Sequence, residues 1–74
     1  MFPVDTKALR KIMIDRNIST IIEFAQICGI DRNTASSVIN GTSRPSSLTM
    51  DKIVDGLELS PEEAGRIFFT EQLT

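Results

Sequence analysis

Few side chains in this sequence are suited to catalysis. The 74 residues contain no histidine, tyrosine or tryptophan and a single cysteine, Cys28. A thiol without a histidine or another activating base builds neither a nucleophilic nor a metal-binding constellation of the usual kind. Glu62 and Glu63 are the only adjacent carboxylates, and at the predicted start of a helix they complement the helix dipole. We therefore expect no enzyme, no metal site, no cofactor and no small-molecule substrate.

The elements that must position any functional side chain are predicted to be helices. The most informative stretch is 20–41, TIIEFAQICGIDRNTASSVING. Thr20 and Glu23 have the spacing of a capping box, in which the threonine oxygen accepts the Glu23 amide and the carboxylate reaches back. Gly29 stands where a helix ends in a left-handed residue, and Asp31 is a strong N-cap for the next helix. The stretch predicts helix, turn, helix.

Apolar residues of the second of these helices recur at helical spacing and predict its buried side: Ala35, Val38 and Ile39. The polar residues on the opposite side are Arg32, Asn33, Ser36 and Ser37, with Asn40 one turn further on.

Three more helices complete the predicted fold. Asp5 or Thr6 caps a first helix, and 16–19 form the turn that follows it. A fourth helix starts at Ser46 or Ser47 and runs to about residue 57, and a capping box at 60–63 opens a fifth. No alternating strand pattern competes. The prediction is an all-α fold of five helices in one domain, residues 1–74.

An ordered set of residues runs through the stretch 20–41: Ala25, Gly29, Ile30, Asp31, Thr34, Val38, Asn40 and Gly41. At this spacing the set closely resembles the Cro and lambda-repressor type (XRE-like) of helix-turn-helix. The segment after it looks like the loop, fourth helix and fifth-helix start of the same family, through Arg44, Pro45, Ser46, Met50, Ile53, Val54, Leu57, Leu59 and Ser60. The resemblance covers roughly residues 9–68 and implies a compact lambda-repressor-like domain.

The resemblance implies binding to duplex DNA, with the second helix of the motif in the major groove. Arg32 and Asn33 are the stronger candidates for reading bases, since arginine binds guanine and asparagine binds adenine bidentately. Ser36 and Ser37 fit either base or phosphate. Further candidate contacts to the DNA backbone come from Asn40, Ser43 and Arg44.

Charge argues for a further partner. Residues 1–50 hold six bases and four acids, a net of +2, whereas 51–74 hold two bases and six acids, a net of −4. The sequence pI of about 4.9 lies far below the value of about 9 that marks a nucleic-acid-binding domain. Such a monomer should bind DNA weakly, so we expect a homodimer or another protein partner.

Ile21, Ile22 and Ile27 form a second candidate surface. Ile21 and Ile22 lie in the first turn of the first helix of the motif, where the family that the sequence resembles commonly has a polar residue. An isoleucine cannot form a hydrogen bond with a phosphate. Exposed together, the three side chains would form an apolar patch of the kind that marks protein contacts, although one of them could instead pack against the first helix.

Two functions fit these observations. The first is a regulator that binds operator DNA as a dimer, like the small regulators of temperate phages and mobile elements. The alternative is an anti-repressor that binds the helix-turn-helix domain of a partner repressor, for which an acidic balance and exposed isoleucines are suited. A role in an antitoxin or larger assembly is a third. The fold alone does not choose among them.

Composition indicates the cellular setting. One cysteine allows no intramolecular disulfide, and no apolar run approaches the roughly 20 residues that span a bilayer. We expect a cytoplasmic protein without a membrane partner.

Overall fold

Five α-helices make up residues 4–69, the part of the chain that the computed structural model describes. They are α1 (Thr6–Asp15), α2 (Ile21–Cys28), α3 (Arg32–Asn40), α4 (Ser47–Leu57) and α5 (Pro61–Phe68). No strand occurs within the described residues. The predicted all-α fold of five helices is confirmed.

Side-chain caps begin the helices at residues that the sequence predicts. The Asp5 carboxylate accepts the Ala8 amide at 3.1 Å and opens α1. At the start of α5, the Ser60 hydroxyl accepts the Glu63 amide at 3.1 Å and the Glu63 carboxylate accepts the Ser60 amide at 2.9 Å. The predicted capping box of α5 is therefore confirmed, and a cap of this kind contributes about 1 kcal/mol to stability.

The cap of α2 forms as predicted and extends to Ser19. The Thr20 hydroxyl accepts the Glu23 amide at 3.1 Å. The Glu23 carboxylate reaches back and accepts the Ser19 amide at 3.3 Å and the hydroxyls of Ser19 and Thr20 at 2.9 and 3.1 Å. The sequence did not indicate that Ser19 supplies two of these donors. These hydrogen bonds, led by the Ser19 hydroxyl, lower the pKa of Glu23.

One hydrophobic core joins the five helices. Helix α2 packs against α3 and α4, while α1 packs against α3 and α5. Gly56 sets the distance between α2 and α4, since a Cβ there would lie 2.7 Å from the Ile27 carbonyl oxygen and 2.8 Å from the Cys28 Cα. This close approach of α4 to α2 holds the first helix of the motif in place.

Arg16 connects the end of α1 to the end of α4. Its Nε donates to the Leu57 carbonyl at 3.0 Å and its Nη2 to the Glu58 carbonyl at 3.3 Å. The same guanidinium lies 3.5 Å from the Glu63 carboxylate. Arg16 thus satisfies carbonyls that α4 leaves without helical partners, a role that its position in a predicted turn does not reveal.

Candidate nucleic-acid interface

A tight turn between α2 and α3 sets the direction of α3. Gly29 adopts the left-handed conformation, with φ of 66°, which glycine reaches without a Cβ penalty. Asp31 then caps α3, because its carboxylate accepts the amides of Asn33 at 2.9 Å and Thr34 at 3.4 Å. Arg32 therefore stands at the first position of the helix, beside the cap.

Three apolar residues of α3 face the core, as predicted. The polar residues predicted on its outer side fall into two groups. Arg32, Asn33 and Asn40 are exposed, whereas Ser36 and Ser37 are half buried. The helix therefore presents its first turn and its last residue to solvent, with the two serines set back between them.

The exposed residues of the first turn are available for recognition. Within residues 4–69, the side chains of Arg32 and Asn33 form no hydrogen bond or ion pair. Asn40 differs, since its Nδ2 donates to the Ser36 hydroxyl at 3.3 Å. A free guanidinium and a free carboxamide can each bind a base bidentately, which discriminates by about 1 to 3 kcal/mol per good pair.

A polar hollow of about 350 Å³ lies between α3 and the segment that leads into α4. Asn33 and Ser37 line it from α3, Ser43 from the loop and Thr49 from α4. Among the described residues, none of those lining it is acidic. Hydroxyl and amide donors next to the start of α4 suit an anionic oxygen such as that of a phosphate. Sequence reasoning missed Thr49, which follows the predicted start of α4 without any signal of this neighbourhood.

Arg44 also lines this hollow, and the tip of its side chain is bound to the end of α5. Its Nη1 donates to the Phe68 carbonyl at 2.9 Å, and its guanidinium carbon lies 5.4 Å from the centre of the Phe69 ring. The side chain is half buried. The predicted DNA contact at Arg44 thus coincides with a contact between the loop and the end of α5.

A mostly apolar groove of about 790 Å³ runs between α1, the turn at 16–19 and the end of α3. Thr20 and Asn40 line it, together with Ile14 and Ile21. In the described part of the chain, Arg10 is the one charged residue that lines this groove. Sequence reasoning missed Arg10, because only the packing of α1 on α3 brings it near Asn40.

The Cro/C1-type HTH DNA-binding domain is a family whose model matches this chain, over residues 8–65. The matched region spans most of α1 and of α5 and all of the helices between them. The chain belongs to this family. No curated protein and no solved structure matches the chain. The family resemblance drawn from the sequence is confirmed, and the Cro/C1-type domain is a DNA-binding domain of the kind that transcription regulators use.

In a helix-turn-helix, the second helix of the motif lies in the major groove and its N-terminal residues contact base edges. The counterpart in this Cro/C1-type domain is α3, whose N-terminal residues are Arg32 and Asn33. The free side chains of the helix therefore stand at the positions where such motifs read DNA.

The isoleucines of α2 occupy different surroundings in the Cro/C1-type domain. Ile21 is half buried and packs against the core. Ile22 and Ile27 are 51% and 47% exposed. Ile22 and Ile27 are five positions apart, which corresponds to about 140° around the helix axis. Their exposed side chains therefore lie on different sides of α2 and do not form one patch. The structure does not bring the three isoleucines together.

Cys28 is buried, and this burial raises the pKa of its thiol to about 11. No group of His, Cys, Asp or Glu within residues 4–69 is arranged to hold a metal ion. None of the helices in this range is long and apolar enough to cross a membrane.

Proposed function

We propose that this protein is a small transcriptional regulator that binds operator DNA with α3 in the major groove. The observation that carries the proposal is the pair Arg32 and Asn33, exposed and unbonded on the first turn of a helix whose other side is fixed in the core. Bidentate recognition requires such free planar groups on a rigid support. Residues 1–74 act as one domain in this proposal, in the cytoplasm, as in regulators of temperate phages and mobile elements.

In this proposal, the first turn of α3 is the base-reading turn, and residues on both sides of it contact the DNA backbone. Asn40, held by its hydrogen bond to Ser36, lies at one side next to Thr20. Ser43 and Ser37 lie at the other side, in the polar hollow. Such contacts fix the register of the helix on the duplex without reading sequence.

A homodimer supplies the affinity that one copy lacks. The described residues carry nine acids and eight bases, so one copy gains little from phosphate neutralisation. Two copies related by a two-fold axis read two half-sites about one helical turn of DNA apart. The operator in this proposal is therefore nearly palindromic.

Selection of duplexes from a random pool, followed by fluorescence anisotropy, tests the proposal. Arg32→Ala and Asn33→Ala should each weaken binding to the selected duplex by about 1 to 3 kcal/mol while leaving binding to random DNA nearly unchanged. Arg66→Ala is the matched control, since it removes an exposed positive charge from α5, away from α3. Equal binding of selected and random duplexes by the wild-type protein would refute base reading.

A second candidate function, that of an anti-repressor, fits the exposed isoleucines and the excess of acidic over basic residues. An anti-repressor covers the basic DNA-reading face of a partner repressor, and a net negative charge with Ile22 and Ile27 exposed suits such a partner. Ile22→Glu and Ile27→Glu separate the two functions, because both side chains lie outside the proposed base-reading turn. If either change abolishes binding to a neighbouring repressor while DNA binding persists, the anti-repressor function is supported. If repressor binding survives both changes, the isoleucines are not the partner surface, and if the wild-type protein binds no repressor, the anti-repressor function is rejected.

A further inference from the structure

The segment between α3 and α4 is attached to the end of α5 through Arg44. Its guanidinium donates to the Phe68 carbonyl at 2.9 Å and lies 5.4 Å from the centre of the Phe69 ring. Arg44 and Phe68 are 24 residues apart in sequence. The contact therefore connects the loop beside the proposed reading helix to the last described helix.

Both contacts suit an arginine. The Phe68 carbonyl is one of the last of α5, which lack partners within the helix, and a cation is favoured near a helix C-terminus. A guanidinium within about 6 Å of an aromatic ring face is attracted by the ring. The planar group of Arg44 makes both contacts at once, which the point charge of a lysine cannot reproduce.

Other contacts hold the same loop on either side of Ser43. The Thr42 amide donates to the Ser37 carbonyl at 3.0 Å, and Pro45 is buried. Ser43 itself is exposed and lines the polar hollow. With Arg44 bound to α5, the position of the Ser43 hydroxyl relative to α3 is fixed from both directions.

We propose that Arg44 is a positioning residue for DNA binding, which acts by holding Ser43 and its loop against the end of α5 rather than by neutralising a phosphate. This inference rests on the proposed function. It makes the C-terminal end of α5, far from α3 in sequence, a determinant of affinity for DNA.

The salt dependence of binding distinguishes positioning from direct contact. Arg44→Lys, Arg44→Ala and Phe69→Ala are titrated with the selected duplex at several salt concentrations, once thermal unfolding shows each to be folded. We expect both Arg44 variants to weaken binding about fivefold, roughly the worth of one hydrogen bond, with an unchanged slope of log K against log salt. Phe69→Ala should weaken binding in the same way, although it removes no charge.

A direct phosphate contact has the opposite signature. Arg44→Ala would then make the salt slope shallower by about 0.9, Arg44→Lys would keep most of the affinity, and Phe69→Ala would have no effect. That pattern would overturn the proposal.

Hydrogen exchange of the Thr42 amide tests the attachment of the loop without DNA. Arg44→Lys and Phe69→Ala should both accelerate this exchange, while Lys52→Ala, an exposed position on α4, should not. Unchanged exchange in the first two variants would overturn the proposal whatever the affinity for DNA. If the wild-type protein binds no duplex, the proposed function fails together with the role of Arg44 in DNA binding, and the exchange rates still show whether Arg44 holds the loop.

Discussion

Substitution of Gly56 by alanine should separate α2 from α4 and destabilise the protein. The added Cβ would lie 2.7 Å from the Ile27 carbonyl oxygen and 2.8 Å from the Cys28 Cα, whereas carbon contacts are comfortable at about 3.5 to 4.0 Å. Both neighbours are backbone atoms, so a whole helix must move. Overpacking of this kind costs about 1 to 3 kcal/mol, and the better helix propensity of alanine offsets about 1 kcal/mol of it.

The expected net loss is about 1 kcal/mol, which lowers the midpoint of thermal unfolding by about 4 to 8 °C in a domain of this size. Circular dichroism at 222 nm measures this midpoint. Gly65→Ala is the matched control, because it is also a helical glycine but no described atom lies within 4 Å of its Cβ. Helix propensity should act alone there and raise the midpoint. Changes of the same sign in both variants would refute the reasoning from close packing.

Three further predictions concern single side chains. Asp31→Ala should cost about 1 kcal/mol in urea unfolding because α3 loses its cap, whereas Asp31→Asn should keep the cap and bind DNA more tightly in anisotropy titrations because a negative charge beside α3 is removed. Cys28 should resist alkylation at pH 8 until the protein unfolds. Because its folded pKa is raised to about 11, the stability that it contributes is complete below its unfolded pKa of about 8.5 and is lost as the pH rises through 11. The Ser60 amide, more than Arg16, lowers the pKa of Glu63; the resulting stability is present above the ordinary pKa of 4.5 and is lost as the pH falls through the lowered value. Glu63→Gln should therefore flatten the pH dependence of the unfolding temperature in acid, and an unchanged profile would contradict this account of the cap.

Local signals explain why the helices were predictable. A cap needs only a side chain and an amide three residues along, so Asp5 and Ser60 indicate helix starts independently of the tertiary structure. Gly29 likewise marks the end of α2 through its own backbone conformation. The exposure of Arg32 and Asn33 follows from helical periodicity, since the core positions of α3 fix the opposite side.

Long-range contacts explain what the sequence did not reveal. The partner of Arg44 lies 24 residues away, and the carbonyls bound by Arg16 lie 41 and 42 residues away. The residues next to Arg16 and Arg44 in the sequence give no signal of these distant partners. Ile21 shows the same limit, because its partial burial depends on how the helices pack around the core. The functions of the candidate DNA contacts stay predictions, because they depend on DNA, a molecule outside the chain.

The central claim, that α3 reads operator DNA, is tested most directly by mapping amide chemical shifts of the labelled protein during titration with a selected duplex. We predict that the largest changes lie in residues 32–40 and 42–46, with smaller changes at Thr20, and that Arg32→Ala reduces them. Changes confined to α4 and α5, or no saturable change with any selected duplex, would contradict the assignment of α3 as the reading helix.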